Sequence, residues 1–148
     1  MHSWRLIAAF AALPIVALAA TPAQEKAFVD AYKTAYEGKN AKALHAMLYT
    51  KGADPQALEF YRMMMTNEMG SKISSIVLEP LSADDKAKAS ATMPGPGGKS
   101  YRLTLAPVKK LVIKSTSSGS SGSSTSTNTV FVAEADGKLV IPVPGPAK

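Results

Sequence analysis

Tyr32 and Tyr36 stand one helical turn apart, and His45 follows them closely. Phenol and imidazole are groups that general acid–base chemistry uses. His45 borders the apolar face formed by Ala41, Leu44 and Leu48. A lone general base is one reading of it, and a half-buried, hydrogen-bonded helix residue is the favoured one. The other histidine, His2, lies at the very start of the chain. One histidine and no cysteine make a poor zinc site, and no metal or other cofactor is expected. Met63, Met64, Met65 and Met69 carry thioethers that suit Cu(I), yet methionine is also a flexible core filler, which is the simpler reading. A softer use of the same residues is an adaptable apolar pocket. Tyr32, Tyr36, Tyr61, Met64, Met65, Leu103 and Phe131 are its expected lining. The carboxylates Asp54 and Asp136 fit a helix cap and a turn better than a reaction.

The elements that must position these groups fall into two halves. Thr21-Pro22-Ala23-Gln24 opens a helix with a capping box and a proline at its first position. Phe28, Ala31, Tyr32, Ala35 and Tyr36 then recur at helical spacing, which predicts a helix over 22–37. Asn40 caps a second over 41–48. Asp54-Pro55 starts a third over 55–69, bearing Leu58, Tyr61, Met64 and Met65.

After Gly70 the period changes to two. Lys72–Leu81 reads as a strand and Lys86–Met93 as a weaker one. Pro94-Gly95-Pro96-Gly97-Gly98 is a turn. Tyr101, Leu103, Leu105, Leu111 and Ile113 alternate with Arg102, Thr104, Lys110 and Lys114. This predicts one long strand, bent at Pro107, with Phe131, Leu139 and Ile141 on the same inward side. Ser115–Asn128 holds only Ser, Thr, Gly and Asn, and is expected to be a disordered loop. Asp136-Gly137 between two apolar runs predicts a hairpin. Residues 144–148 read as a frayed tail.

The chain has 148 residues with 46% hydrophobic and 19% charged, enough for one domain and too apolar for wholesale disorder. Zero Cys excludes disulfides, thiolate chemistry and a lipoprotein anchor. Residues 1–20 have the three parts of a secretory signal: a basic start at Arg5, an apolar run from Leu6 to Leu18, and the small-x-small triplet Ala17-Leu18-Ala19. Export to a periplasm or the cell exterior is therefore expected. Cleavage falls between Ala19 and Thr21, and no stable membrane insertion follows it. One domain then occupies 21–143. The net charge of +6 is spread over scattered lysines without an arginine-rich run, which argues against nucleic acid as a partner.

The opening Ala27-Phe28-Val29-Asp30-Ala31-Tyr32, Gly38-Lys39-Asn40-Ala41-Lys42-Ala43-Leu44 and Leu48-Tyr49-Thr50 resembles that of the NTF2-like, or cystatin-like, superfamily. The resemblance implies an α+β fold with three N-terminal helices on a curved antiparallel sheet, a cone closed over an apolar pocket. It also implies that enzymes of the steroid-isomerase type would need a strand carboxylate beside a helix-1 tyrosine such as Tyr32. The expected inward strand positions hold no acid. The leading expectation is a non-catalytic exported domain that binds a small apolar ligand or a protein. A pocket hydrolase or isomerase, with His45 and Tyr32 as its weak candidates, is the first alternative. An envelope-associated structural domain is the second. It would form a homodimer through the even face of the long strand (Thr104, Ala106, Val108, Val112).

Overall fold

A computed structural model describes residues 19–147. The expected signal segment lies almost wholly outside them. Helix α1 (Pro22–Glu37) begins where Thr21 Oγ1 accepts from the Gln24 amide and the Gln24 side chain accepts from the Thr21 amide. Its buried stripe is Phe28, Tyr32, Ala35 and Tyr36. Helix α2 (Ala41–His45) is shorter than expected. Leu48, expected as its last residue, instead opens strand β1 (Leu48–Tyr49), which pairs in parallel with Ile141–Pro142. Helix α3 (Pro55–Glu68) starts at Asp54, whose carboxylate accepts from the Gln56 and Ala57 amides, both at 3.0 Å.

Strand β2 (Lys72–Pro80) follows. The weak strand expected at Lys86–Met93 is replaced by a fourth helix, α4 (Ala83–Ser90). Ser82 and Asp85 form a capping box that starts it, and its alternating Ala and Lys residues are strong helix formers. Strands β3 (Met93–Pro94) and β4 (Ser100–Leu103) flank the Pro-Gly turn. Strands β5 (Lys109–Gly119), β6 (Gly122–Ala135), β7 (Lys138–Pro142) and β8 (Pro144–Pro146) complete the chain.

The fold is α+β, with a five-stranded sheet ordered β1-β7-β6-β5-β2 and a three-stranded sheet ordered β3-β4-β8. All pairings are antiparallel except β1–β7. The single long strand expected across Pro107 is thus two strands in two sheets. The chain leaves the ladder around Pro107, which has no N–H to offer it. The alternation itself persists within β5, where Leu111, Ile113 and Ser115 are buried.

The Ser/Thr/Gly segment corrects the expected loop. It forms the distal half of the β5–β6 hairpin, paired without a register break from Lys109↔Val132 to Gly119↔Gly122. Composition misled here because a two-stranded ladder satisfies its own backbone groups without apolar burial. Cross-strand hydroxyl pairs add to it, Ser115–Ser126 at 3.0 Å and Ser117–Ser124 at 2.9 Å. The adjoining strand β2 also supports it as far as Thr116. The tail is likewise not frayed. Pro144 and Gly145 are buried, and β8 pairs with β4.

Asp136 and Gly137 take φ of +51° and +74°, the left-handed pair that a two-residue hairpin turn needs, and join β6 to β7 as expected. The core lies between α1 and one face of the larger sheet, where Tyr32, Leu111, Ile113, Val132 and Ile141 are almost completely buried. On the opposite face Lys110 is held by Asp85 of α4. Among the described residues no helix is long and apolar enough to cross a membrane.

Candidate functional site

The cleft of interest opens where β7 parts from β6. The two strands pair only over Ala133↔Val140, Glu134↔Leu139 and Ala135↔Lys138. Continued in the same register, Pro142 would face Phe131, and proline has no N–H with which to extend the ladder. Strand β7 turns instead toward β1, where the Ile141 amide donates to the Met47 carbonyl at 2.8 Å. The wedge left behind is a cleft of about 360 Å³. This lies at the low end of small-molecule sites.

Its helical wall is one stripe of α3, Tyr61, Met64, Met65 and Glu68, with Tyr32 of α1 beside it. Its other wall is Asn128–Phe131 of β6 with Ile141 and Pro142 of β7. The stripe follows from helical geometry, since positions separated by three, four and seven residues share a face. Met65 is buried and Met64 is 38% exposed, so one anchors α3 while the other is free to adapt.

Of the seven residues expected to line a pocket, Tyr32, Tyr61, Met64, Met65 and Phe131 border this cleft. Tyr36 does not. It is buried in the core, stacked on Tyr32 with ring centroids 6.1 Å apart and planes 21° apart. Leu103 lies elsewhere, in a groove with Leu81, Ala89 and Pro107. Phe131 takes the phase opposite to the inward one expected. It pairs with Lys110, whereas its neighbours Val130 and Val132 share the buried face of Leu111. It therefore borders the cleft from the strand edge. His45 is not among the lining residues. Its Nε2 lies 3.2 Å from the Arg62 carbonyl oxygen and 3.1 Å from Thr66 Oγ1, tying α2 to α3.

Glu68 is the residue that sequence reasoning missed. A pocket acid is expected on an inward strand position, while the same i, i+3, i+4, i+7 pattern that groups Tyr61, Met64 and Met65 also reaches Glu68. Partial burial raises its carboxyl pKa above the usual range. Tyr32 is pushed far up, first by burial, then by the nearby negative charge of Glu68, and then by Tyr36. Burial also raises Tyr61. Both tyrosines are therefore neutral phenols at ordinary pH, able to donate or accept a hydrogen bond. The cleft combines apolar walls with two phenols and a carboxylate that has no ion-pair partner among the described residues.

The chain matches no protein-family model, and no curated protein or solved structure matches it significantly.

Proposed function

We propose that this chain is an exported, non-catalytic domain that holds a small apolar molecule in the cleft between α3 and the β6–β7 divergence. The observation that carries this reading is the stripe Tyr61-Met64-Met65 facing Ile141 and Pro142 across an open space of about 360 Å³. Aromatic and thioether walls adapt to an apolar body, and a few convergent polar groups orient it. A volume of this size holds about a dozen water-sized groups. The ligand is accordingly small, with a hydrogen-bond donor directed at Glu68. The proposed fold family is NTF2-like. Three N-terminal helices ahead of antiparallel strands support it, and α4 and the three-stranded sheet are additions to that layout.

One observation favours a second reading. Glu68 lies near enough to Tyr32 to raise its pKa, so a phenol and a carboxylate share one cleft, the pairing that a pocket isomerase or hydrolase needs. The carboxylate comes from α3 and not from a strand.

Native mass spectrometry on protein purified gently from its own host tests the binding reading. A retained small molecule is expected in the wild type and is lost from Met64→Trp, which fills the cleft from a partly exposed position. Titration with the neutral dye Nile red should show the same contrast. Empty wild-type protein with equal dye binding in both forms would overturn it. Turnover of a trial ester or enone that is abolished by Glu68→Gln would favour the second reading.

A further inference from the structure

The cleft between α3 and the β6–β7 divergence carries one charged side chain on its walls, the carboxylate of Glu68. No Lys, Arg or His lines it, although the chain holds 17 Lys and Arg against 11 Asp and Glu. The cations on the elements beside it are already engaged. Arg62 of α3 pairs with Glu59, Lys109 of β5 with Glu25, and Lys110 with Asp85. Lys39, whose stem lies against Gly70 just beyond α3, forms no ion pair with Glu68. Burial raises the Glu68 pKa, and no cation offsets it.

Neutral oxygens stand near that carboxylate. Tyr32 is only 1% exposed, and its hydroxyl makes no hydrogen bond among the described residues. No buried side-chain oxygen there lacks a partner, so the small exposed part of Tyr32 includes that hydroxyl. Tyr32 borders the cleft, and the charge of Glu68 reaches it closely enough to raise its pKa. Tyr61 and Asn128 line the same space, and each carries a further oxygen acceptor. The rings of Tyr61 and Phe131 add faces that attract a cation.

We propose that the molecule held in this cleft is a small primary ammonium compound, its charged end at Glu68 and its hydrocarbon body against Met64, Met65 and Ile141. This rests on the reading of the cleft as a ligand site and names the chemical class that fits it. An alkylammonium has three N–H donors and no acceptor, which matches a wall of one carboxylate and two phenol oxygens. A purely apolar ligand would shut Glu68 away from water without a partner, at a cost in free energy. A carboxylate ligand would meet Glu68 as a like charge. The net +6 of the chain opposes any cation at long range. Salt screens that field over about 10 Å at 0.1 M, which leaves the adjoining carboxylate as the dominant charge.

The test compares hexylamine, cationic at neutral pH, with 1-hexanol, its neutral match in length. Each is titrated into the purified protein and followed by residue-specific NMR shifts. Hexylamine should bind roughly tenfold or more tightly than hexanol, with shifts centred on Tyr61, Met64 and Ile141. Glu68→Gln keeps the shape and removes the charge, so the two ligands should then bind about equally. A second measurement needs no variant. Followed through an acid titration of the wild type, the Glu68 carboxyl carbon should titrate lower with hexylamine bound than with hexanol. Equal binding of the two ligands to the wild type, with Nile red still bound, overturns the ammonium assignment and leaves the apolar cleft standing. A preference for hexylamine that survives in folded Glu68→Gln, or a Glu68 titration that hexylamine does not move, also overturns it. Wild-type protein that binds neither ligand nor Nile red overturns both readings.

Discussion

Lys110 Nζ lies 2.8 Å from Asp85 Oδ2 and fastens the N-terminal turn of α4 to the start of β5. Asp85 serves twice, because the same oxygen accepts from the Ser82 amide at 2.9 Å and closes the capping box. The Lys110 hydrogen bond and the two bonds with Ser82 hold the Asp85 carboxyl at a pKa of about 2. Folding thus lowers the Asp85 pKa, so the contribution of this carboxylate to stability is present above the unfolded value of about 4 and fades as the pH falls toward 2. Urea midpoints of wild type and Asp85→Asn should therefore differ at pH 6, and the gap should close in that acid window. A gap that stays constant from pH 6 to pH 2 would show that the pair is not what holds α4.

His45 is expected to be structural. Replacing it with alanine removes the contacts to Thr66 and to the Arg62 carbonyl. That carbonyl keeps a partner, since Thr66 Oγ1 donates to it at 2.8 Å. The cost should be about 1 kcal/mol, one net hydrogen bond, with no oxygen left unpaired. Equilibrium unfolding measures this. A folded, equally stable His45→Ala variant that lost cleft binding would place His45 in function after all.

The helical half was legible in the sequence because its signals are local. Thr21-Pro22, Asn40 and Asp54-Pro55 each act within one turn of chain, and α1 and α3 begin at the residues those caps indicate. The misread helix α4 also had a local signal, the Ser82–Asp85 capping box, which the period of two obscured. The other misreadings share a different cause, which is pairing at a distance. Leu48–Tyr49 is a strand only because Ile141 lies alongside it, and Pro144–Pro146 is ordered only because β4 does. Nothing within Ser115–Asn128 announces a ladder, since its partner is itself across a Gly-Ser-Ser-Gly turn. In the cleft, the residues grouped by helix period were recognisable. Glu68 belonged to that same period, whereas the opening at Pro142 depends on a register that no single strand reveals.

Gly145 is fixed by a close approach. A Cβ placed there would lie 2.2 Å from the Gly52 carbonyl oxygen and 3.0 Å from the Thr104 methyl. Backbone cannot yield as a flexible side chain would, so Gly145→Ala should destabilise by about 1–3 kcal/mol or more. The strain should separate β8 from the loop ahead of α3, where the Asp54 amide donates to the Pro144 carbonyl at 2.9 Å. Faster hydrogen exchange at Asp54 and Thr104 would locate the damage. An unchanged melting temperature would refute the packing argument.

The proposed export carries a consequence at the sheet. The Ala20 nitrogen lies 2.7 Å from Glu134 Oε1, near the end of β6. In the uncut chain that nitrogen is a neutral amide. Cleavage after Ala19 would turn it into an α-ammonium at the same carboxylate, and a hydrogen bond between two charged groups is stronger than one from an amide. The site is partly buried, so solvent weakens the pair without abolishing it. A chain beginning at Ala20 should then be more stable by about 1 kcal/mol than the same chain with its terminus acetylated, since acetylation removes the charge. Glu134→Gln should erase that difference, which separates the ion pair from any general effect of acetylation. N-terminal sequencing of the exported protein should return Ala20. A mature chain starting elsewhere, or identical urea midpoints for the free and acetylated forms, would remove Glu134 from any part in holding the processed end.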